Sequence, residues 1–217
     1  MRMAQTGSAV EARVVYRVDD RADGGADDRA GEREVLVSVD IEASGPTPST
    51  GSLVAIGACL VVDPARAFYR EIRPLPDRPW DPAAERVHGL RRDELEERGV
   101  DPQQAMADLA AWLAEVAGDG RPVFVGFNAP FDWMFVADYF HRHLGHNPFG
   151  ISALDLKSLY MGREGVGRWA ETTKRAVLAR YTTARRNTHH ALDDARAQAE
   201  IAQLLLAPRG REGDRPE

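Results

Sequence analysis

The sequence predicts an α/β fold in which a single mixed sheet of five strands carries helices on both faces. Near-continuous apolar runs are typical of strands that are covered on both faces. The first three runs follow one another through short connections, which favours an antiparallel meander. Helices and strands then alternate, which requires parallel crossovers. One sheet that holds all of these strands is the simplest architecture that satisfies both patterns.

The meander begins with the run VLVSVDIE at residues 35–42, which is rich in β-branched residues and suits a central strand. A turn-rich loop at residues 43–51 separates it from a second buried strand at residues 52–62. Residues 67–73 alternate well enough for a third strand. Residues 74–98 show no periodic pattern, and we predict that they are irregular.

The second half of the chain alternates between helices and strands. Apolar residues recur at helical spacing over residues 102–116, and Gly118 ends that helix. The patterns that follow predict a strand at 122–127, a helix at 131–144, a strand at 151–156 and a last helix at 190–206. Acids in the first turn of the last helix are typical of a helix start.

Composition bounds the class of protein. The chain has 217 residues, of which 43% are apolar, so it can bury the core of one sizeable domain. Its single cysteine, Cys59, lies inside an apolar run. We interpret it as a small buried hydrophobe, exclude a disulfide framework and expect a cytoplasmic protein. The sequence contains no apolar run long enough to span a bilayer, so we expect no membrane partner. The net charge of -6 argues against a protein that holds nucleic acid by bulk charge alone.

The chain divides into three predicted segments. Residues 1–33 form a partly flexible extension, in which residues 10–18 are a candidate for a short extra strand. Residues 34–207 form one folded domain, and residues 208–217 form a disordered tail. The tail and the second half of the extension are charged and lack large apolar residues, so they cannot contribute to a core.

Two acids lie at the end of the first predicted strand. Asp40 and Glu42 are two residues apart, so both side chains project from the same side of the strand. Carboxylates that share one buried side repel each other and lose hydration. They are tolerable if a positive charge lies between them, and a divalent metal ion is the obvious candidate.

Further candidates lie at two junctions. Asp132 follows the fourth strand in the first turn of a helix, where a helix-start acid and a site acid explain it equally well. His189 precedes the last helix, and Asp194 lies in its first turns. Histidine titrates near neutral pH, so His189 can take a proton from water. We interpret Asp193 as a solvent-facing acid at the helix start.

These motifs, in this order, resemble those of the DEDD exonuclease superfamily, in the subgroup whose last motif carries a histidine. Proofreading exonuclease subunits, ribonuclease T and oligoribonuclease belong to it. The resemblance covers residues 35–206 and rests on four segments, which are VSVDIEASG at 37–45, VHGL at 87–90, FNAPFD at 127–132 and HHALDDA at 189–195. Ala43-Ser44 and Pro130 depart from the commoner residues of these motifs, but every carboxylate is retained.

The resemblance implies a ribonuclease H-like fold, an exonuclease domain over residues 34–207 and two divalent metal ions, Mg²⁺ or Mn²⁺. It implies removal of nucleotides from the 3′ end of single-stranded RNA or DNA. Our hypothesis makes Asp40 the ligand shared by both metals and completes the first with Glu42 and Asp194. Asp132 supports the second metal through water, and His189 is the general base.

The expected substrate contacts are less specific. Basic residues outnumber acids between Arg163 and Arg186, in a segment that directly precedes the histidine motif. Trp169 and Tyr181 lie in this segment and are candidates for stacking on bases. The residues that we expect to contact substrate are Asn128, Phe131, Trp169, Arg185 and Arg186.

Several alternatives stay open at this point. The same fold could serve as a non-catalytic nucleic-acid-binding module, although buried acids without a function are costly to retain. A different metal-dependent phosphohydrolase could be built on a similar sheet. An exonuclease could act as the proofreading subunit of a DNA polymerase, or alone as a homodimer. The choice between RNA and DNA depends on contacts to the 2′-hydroxyl, which the sequence does not reveal.

Overall fold

The structure, a computed structural model, describes residues 33–185 and 188–208. The predicted strand at 10–18, the rest of residues 1–32, Arg186 and nearly all of the predicted tail lie outside the described residues. Within them, the chain forms five strands, which are β1 Glu34–Ala43, β2 Leu53–Leu60, β3 Ala67–Glu71, β4 Arg121–Gly126 and β5 Ala153–Asp155. The α-helices of the described part are α1 Pro82–His88, α2 Arg92–Arg98, α3 Pro102–Ala117, α4 Ala129–Leu144, α5 Leu156–Glu164, α6 Lys174–Arg180 and α7 Ala191–Leu206.

The five strands form one mixed sheet in the order β3-β2-β1-β4-β5. The meander β1-β2-β3 is antiparallel, whereas β4 and β5 run parallel to β1. The predicted mixed sheet is therefore confirmed, with the first strand at its centre. Because β1, β4 and β5 are parallel, their carboxyl ends lie along one edge of the sheet.

The side chains of β1 alternate between two differently built faces. Val37, Val39 and Ile41 are buried in the main core, which α3 and α4 complete. On the opposite face, the hydroxyl of Ser38 is fully buried and donates to the carbonyl of Ala195 in α7 at 2.7 Å. Asp40 follows two residues after Ser38, so it also projects toward α7.

Helix α7 approaches the sheet closely because the residues between them are small. Gly57 on β2 lies opposite Asp40. A Cβ atom on Gly57 would collide with the backbone of Ala191 and Leu192, so only glycine fits under the first turn of α7. Further along, Cys59 is fully buried against alanines of α7, as expected for a small hydrophobe.

A second hydrophobic cluster lies on the α7 side of the sheet. It joins α7 to α5 and α6 through Val125, Leu156, Tyr160, Val177, Ile201 and Leu205. Helix α5 begins where the three-residue strand β5 ends, because the Asp155 carboxylate caps it by accepting from the backbone amide of Ser158 at 2.9 Å. The other oxygen of Asp155 accepts from the amide of Ala129 at 3.0 Å, so one carboxylate binds the starts of both α4 and α5.

The prediction that residues 74–98 are irregular is wrong, because this segment contains α1 and α2. Helix α1 has the signals of a helix start, since Asp81 caps it and Pro82 occupies its first turn. It buries no residue, and α2 buries only Leu95. The apolar stripe by which a helix is recognised in a sequence is therefore missing from both. The strand predicted at 151–156 is also shorter than expected, since β5 ends at Asp155.

None of the helices in the described part of the chain combines the length and the apolar character needed to cross a membrane.

Candidate metal centre

Three carboxylates converge at the carboxyl end of β1. Asp40 and Glu42 project from the strand, and Asp194 reaches them from the first turn of α7. One carboxylate oxygen from each lies within 4.8 Å of the other two. Asp194 is buried and the other two are half-buried, so water compensates their mutual repulsion poorly.

The electrostatics of the cluster favour bound protons in the absence of a cation. Burial raises the pKa of Glu42 to about 8, and the charges of Asp194 and Asp132 add to the effect. Burial also raises the pKa of Asp40 well above its ordinary value, as do the neighbouring carboxylates, whereas Lys174 acts in the opposite direction. A divalent cation would replace those protons, and hard carboxylate oxygens are the ligands that Mg²⁺ and Mn²⁺ prefer. The donor set therefore fits such an ion.

Asp132 lies beside this cluster in the first turn of α4. Its side chain is 5% exposed, and one oxygen accepts from the backbone amide of Ile41 at 3.0 Å. Ile41 stands between Asp40 and Glu42 in β1, so this bond fixes α4 to the strand that carries both acids. Burial raises the pKa of Asp132 to about 7. Asp132 is thus both an acid at a helix start and a neighbour of the carboxylate cluster.

His189 lies on the exposed loop that leads into α7. The preceding residue, Thr188, donates its backbone amide to the Asp194 carboxylate at 2.8 Å, so the loop is fixed to one of the three clustered acids. His189 has a φ of 56°, and Asn128, at the β4–α4 junction, has a φ of 67°. Within the described ranges, these are the two residues other than glycine with a left-handed backbone. Such strain is concentrated at functional sites.

The adjacent histidine has different surroundings. The ring of His190 stacks on Tyr69 of β3 with centroids 4.6 Å apart. Its Nδ1 atom lies 3.6 Å from Asp193, which is half exposed as predicted and also lies 3.6 Å from Arg196. His190 and Asp193 therefore lie near each other and contact Tyr69 and Arg196, and neither belongs to the carboxylate cluster.

Gln198 is a site residue that the sequence analysis missed. It is fully buried, and both ends of its amide are used. Its Nε2 donates to the Asp40 carboxylate at 2.5 Å, and its Oε1 accepts from the backbone amide of Phe127 at 2.5 Å. Gln198 therefore connects Asp40 to the end of β4. The signal in the sequence is its spacing, because a residue four positions after Asp194 lies on the same face of α7.

The residues predicted to contact substrate have diverse surroundings, and their role stays a prediction. Asn128 is exposed, and Trp169 is 50% exposed. Phe131 is half-buried, and its ring centroid lies 5.5 Å from that of Phe135 in the core. Arg185 forms an ion pair with Glu200 at 3.1 Å. Tyr181, a stacking candidate, donates its hydroxyl to Glu164 at 2.6 Å.

Two similar solved structures are exonucleases, and their likeness to this chain shows a shared fold. One is the nuclease domain of 3′hExo, a DEDDh family member bound to rAMP, with a TM-score of 0.65 and 16% identity over 79% of this chain and 91% of that one. Another is Escherichia coli exonuclease I in complex with a dT13 oligonucleotide, with a TM-score of 0.62 and 18% identity over 80% of this chain and 41% of that one.

Residues 35–206 match the family model described as the 3′-5′ exoribonuclease Rv2179c-like domain, and the chain belongs to that family. A curated relative, the 3′-5′ DNA exonuclease Cap18 of Escherichia coli, is 42% identical over 175 residues, which are 80% of this chain and 92% of the relative. The predicted ribonuclease H-like fold and the predicted enzyme class, a 3′–5′ exonuclease, are confirmed.

In metal-free buffer, we expect the free energy of unfolding to fall as the pH rises from about 5 to about 8. Folded Glu42 keeps its proton up to a pKa of about 8, whereas an unfolded chain loses it near the ordinary value of 4.5. The folded state therefore binds more protons across this window, so stability is lost as they dissociate. After allowance for the partial exposure of Glu42, the expected loss is roughly 2 kcal/mol.

Urea denaturation in EDTA at constant ionic strength measures this slope. Glu42→Gln is the matched control, because it removes the titrating group, and its slope should be flatter. Added Mn²⁺ should reverse the trend, since metal binding requires deprotonated carboxylates. A wild-type stability that rises across the window in EDTA would contradict the electrostatic description.

Gln198→Met should weaken Mn²⁺ binding by about tenfold or more, as is usual when a group that orients a metal ligand is lost. The substitution keeps the volume of the side chain but removes the donor to Asp40. Isothermal titration calorimetry measures the affinity, and thermal melting in EDTA checks the fold. Ser38→Ala is the matched control, because it removes another buried hydrogen bond between β1 and α7 without touching a carboxylate. An equal loss of affinity in both variants would show that Gln198 acts only through stability.

Proposed function

We propose that this exonuclease removes nucleotides one at a time from the 3′ end of single-stranded DNA, in a reaction that needs divalent metal ions and a histidine general base. The observation that carries the proposal is the cluster of Asp40, Glu42 and Asp194, whose oxygens lie within 4.8 Å of one another. Carboxylates this close, with a pKa of about 8 at Glu42, are stabilised better by a bound cation than by water.

The proposed ligand set follows the arrangement of the acids. Asp40 contacts Gln198 and neighbours the other carboxylates, and it would be the ligand held in common by two ions. Glu42 and Asp194 would complete the first site, and Asp132 would support the second. Two Mg²⁺ or Mn²⁺ ions bound there would stabilise the negative charge that develops on the attacking and leaving oxygens.

His189 is the proposed general base. It removes a proton from the attacking water, whose oxygen forms a bond to the terminal phosphorus while the bond from phosphorus to the 3′ oxygen breaks. The leaving 3′ oxygen takes up a proton from solvent, and a nucleoside 5′-monophosphate is released. An exposed loop suits this role, because His189 can exchange its proton with bulk water after each cycle.

The choice of DNA rests on the relative that is 42% identical, which is named a DNA exonuclease. The family description names an exoribonuclease instead, so RNA is the second candidate. The structural neighbours show that this fold accepts both, since one is complexed with a dT13 oligonucleotide and another recognises a histone mRNA stem-loop.

With matched single-stranded DNA and RNA oligonucleotides labelled at the 5′ end, we expect a ladder of products that shorten from the 3′ end, and faster loss of DNA. EDTA should abolish the ladder, and Mg²⁺ or Mn²⁺ should restore it. Gel electrophoresis follows the products over time. A blocked 3′ end is the control. Faster cleavage of RNA would replace DNA as the proposed substrate, and cleavage of the blocked oligomer would contradict exonuclease action.

His189→Ala should lower turnover by about 100-fold or more, the usual scale for loss of a general base, while Mn²⁺ affinity stays unchanged. Its matched control is His190→Ala, because His190 is also exposed and adjacent but stacks on Tyr69. Steady-state kinetics and titration calorimetry measure the two effects. Unchanged turnover in His189→Ala, or an equal loss in both variants, would remove His189 from the proposed mechanism.

A further inference from the structure

We infer that Lys157 and Trp169 form a second subsite, which holds the nucleotide upstream of the one being removed. The inference rests on the proposed function. It extends the proposed substrate-binding site from the carboxylate cluster along the path of the nucleic-acid strand. Lys157 lies in the first turn of α5, and Trp169 begins the short 3-10 helix Trp169–Glu171.

The two side chains are arranged together. The ammonium group of Lys157 lies 4.2 Å from the centroid of the Trp169 ring, a distance at which cation and ring attract each other. The same ammonium group lies 3.4 Å from the side-chain oxygen of Asn128. Asn128 follows Phe127, whose amide binds Gln198. A continuous series of contacts therefore runs from Asp40 to Trp169.

The topology places this pair beside the acids. The strands β1, β4 and β5 are parallel, so α5 begins at the same edge of the sheet at which Asp40 and Glu42 lie. Neighbouring strands are about 4.8 Å apart and β4 lies between β1 and β5, so the start of α5 is about 10 Å from Asp40 across the sheet. A single nucleotide held at the acids would not fill that distance, whereas the next nucleotide of a strand would extend along it.

Lys157 differs from most of the basic residues between Arg163 and Arg186. Arg168 lies 3.9 Å from Glu171, Arg180 lies 2.6 Å from Glu164, and Arg185 is paired with Glu200. Across residues 33–185 and 188–208, by contrast, no carboxylate oxygen lies within 4 Å of the Lys157 ammonium. A cation without a carboxylate partner is available to a phosphate.

Trp169 supplies the complementary contact. Half of its surface is exposed, and Lys157 covers its ring, which holds the indole in place. An indole held in this way can stack on a base of any sequence, as in proteins that bind single strands without sequence preference. Together, an ammonium group without a carboxylate partner in the described ranges and an exposed ring match the phosphate and the base of one nucleotide.

The test compares two substrates of the wild-type chain, Lys157→Gln and Trp169→Ala. One is an oligothymidylate, which would occupy both subsites. The other is the p-nitrophenyl ester of thymidine 5′-monophosphate, which would occupy only the acids. We expect the KM for the oligomer to rise roughly tenfold in Trp169→Ala, the scale of one lost base stack, with kcat/KM for the ester unchanged.

Binding without catalysis gives an independent measurement. Fluorescence anisotropy of a labelled oligothymidylate in EDTA, over a series of salt concentrations, should show a weaker Kd for both variants. In Lys157→Gln the slope of log Kd against log salt should decrease by about 0.7, the value for one lost phosphate contact. In Trp169→Ala the slope should stay as in the wild type, because stacking releases no counterion.

Two controls match these changes away from the subsite. Arg142→Gln removes one positive charge near the opposite end of α4, where Arg142 is paired with Asp138 at 3.0 Å. Val62→Ala removes exposed apolar surface after β2, at the other edge of the sheet. An oligomer KM that stays unchanged in both test variants, or rises alike in tests and controls, would overturn the subsite. Equal losses of kcat/KM on the ester and on the oligomer would also overturn the subsite, because they would place the effect of the substitution at the carboxylate cluster. Failure of the wild type to cleave either substrate would instead overturn the proposed function.

Discussion

The site depends on the close approach of α7 to the first two strands. Gly57 leaves no side chain between β2 and the first turn of α7, and Cys59 continues the contact with little more volume. At this distance, Asp194 meets the two acids of β1. A larger side chain at position 57 would push the helix outward and separate the clustered carboxylates. The small residues of β2 are therefore necessary for the carboxylate cluster to form.

That closeness concentrates negative charge, and the surrounding groups compensate only part of it. Lys174 lowers the pKa of Asp40 and Asp132, Gln198 donates to Asp40, and the amide of Ile41 donates to Asp132. These groups do not offset burial, because the pKa of Asp40 stays well above its ordinary value and that of Asp132 is raised to about 7. The fold thus keeps a site that is unfavourable when every acid is ionised. This unfavourable energy is what a bound cation would relieve, so stability and metal binding are coupled through the same residues.

Local patterns were sufficient for the features that depend on neighbours in the sequence. The buried run at 35–42 predicted β1. The two-residue spacing of Asp40 and Glu42 predicted that both side chains lie on one face of that strand, because side chains alternate along a strand. Helices α1 and α2 were missed, since they bury too little to leave an apolar stripe. Gln198 was missed because its importance lies in partners 71 and 158 positions away. That Lys157 lacks a carboxylate partner among the described residues was missed for the same reason, since only the folded chain shows which cations meet carboxylates.

Asp155 gives the edge of the sheet a further property. Its two oxygens bind the first amide of α4 and an amide of the first turn of α5, so neither helix start can shift without the other. Helix α4 carries Asp132, and α5 carries Lys157. The two junctions are therefore connected through one side chain, which favours a constant separation between Asp132 and Lys157. On the proposed path, a nucleic-acid strand that loses its last nucleotide would meet the same spacing again when it advances by one nucleotide.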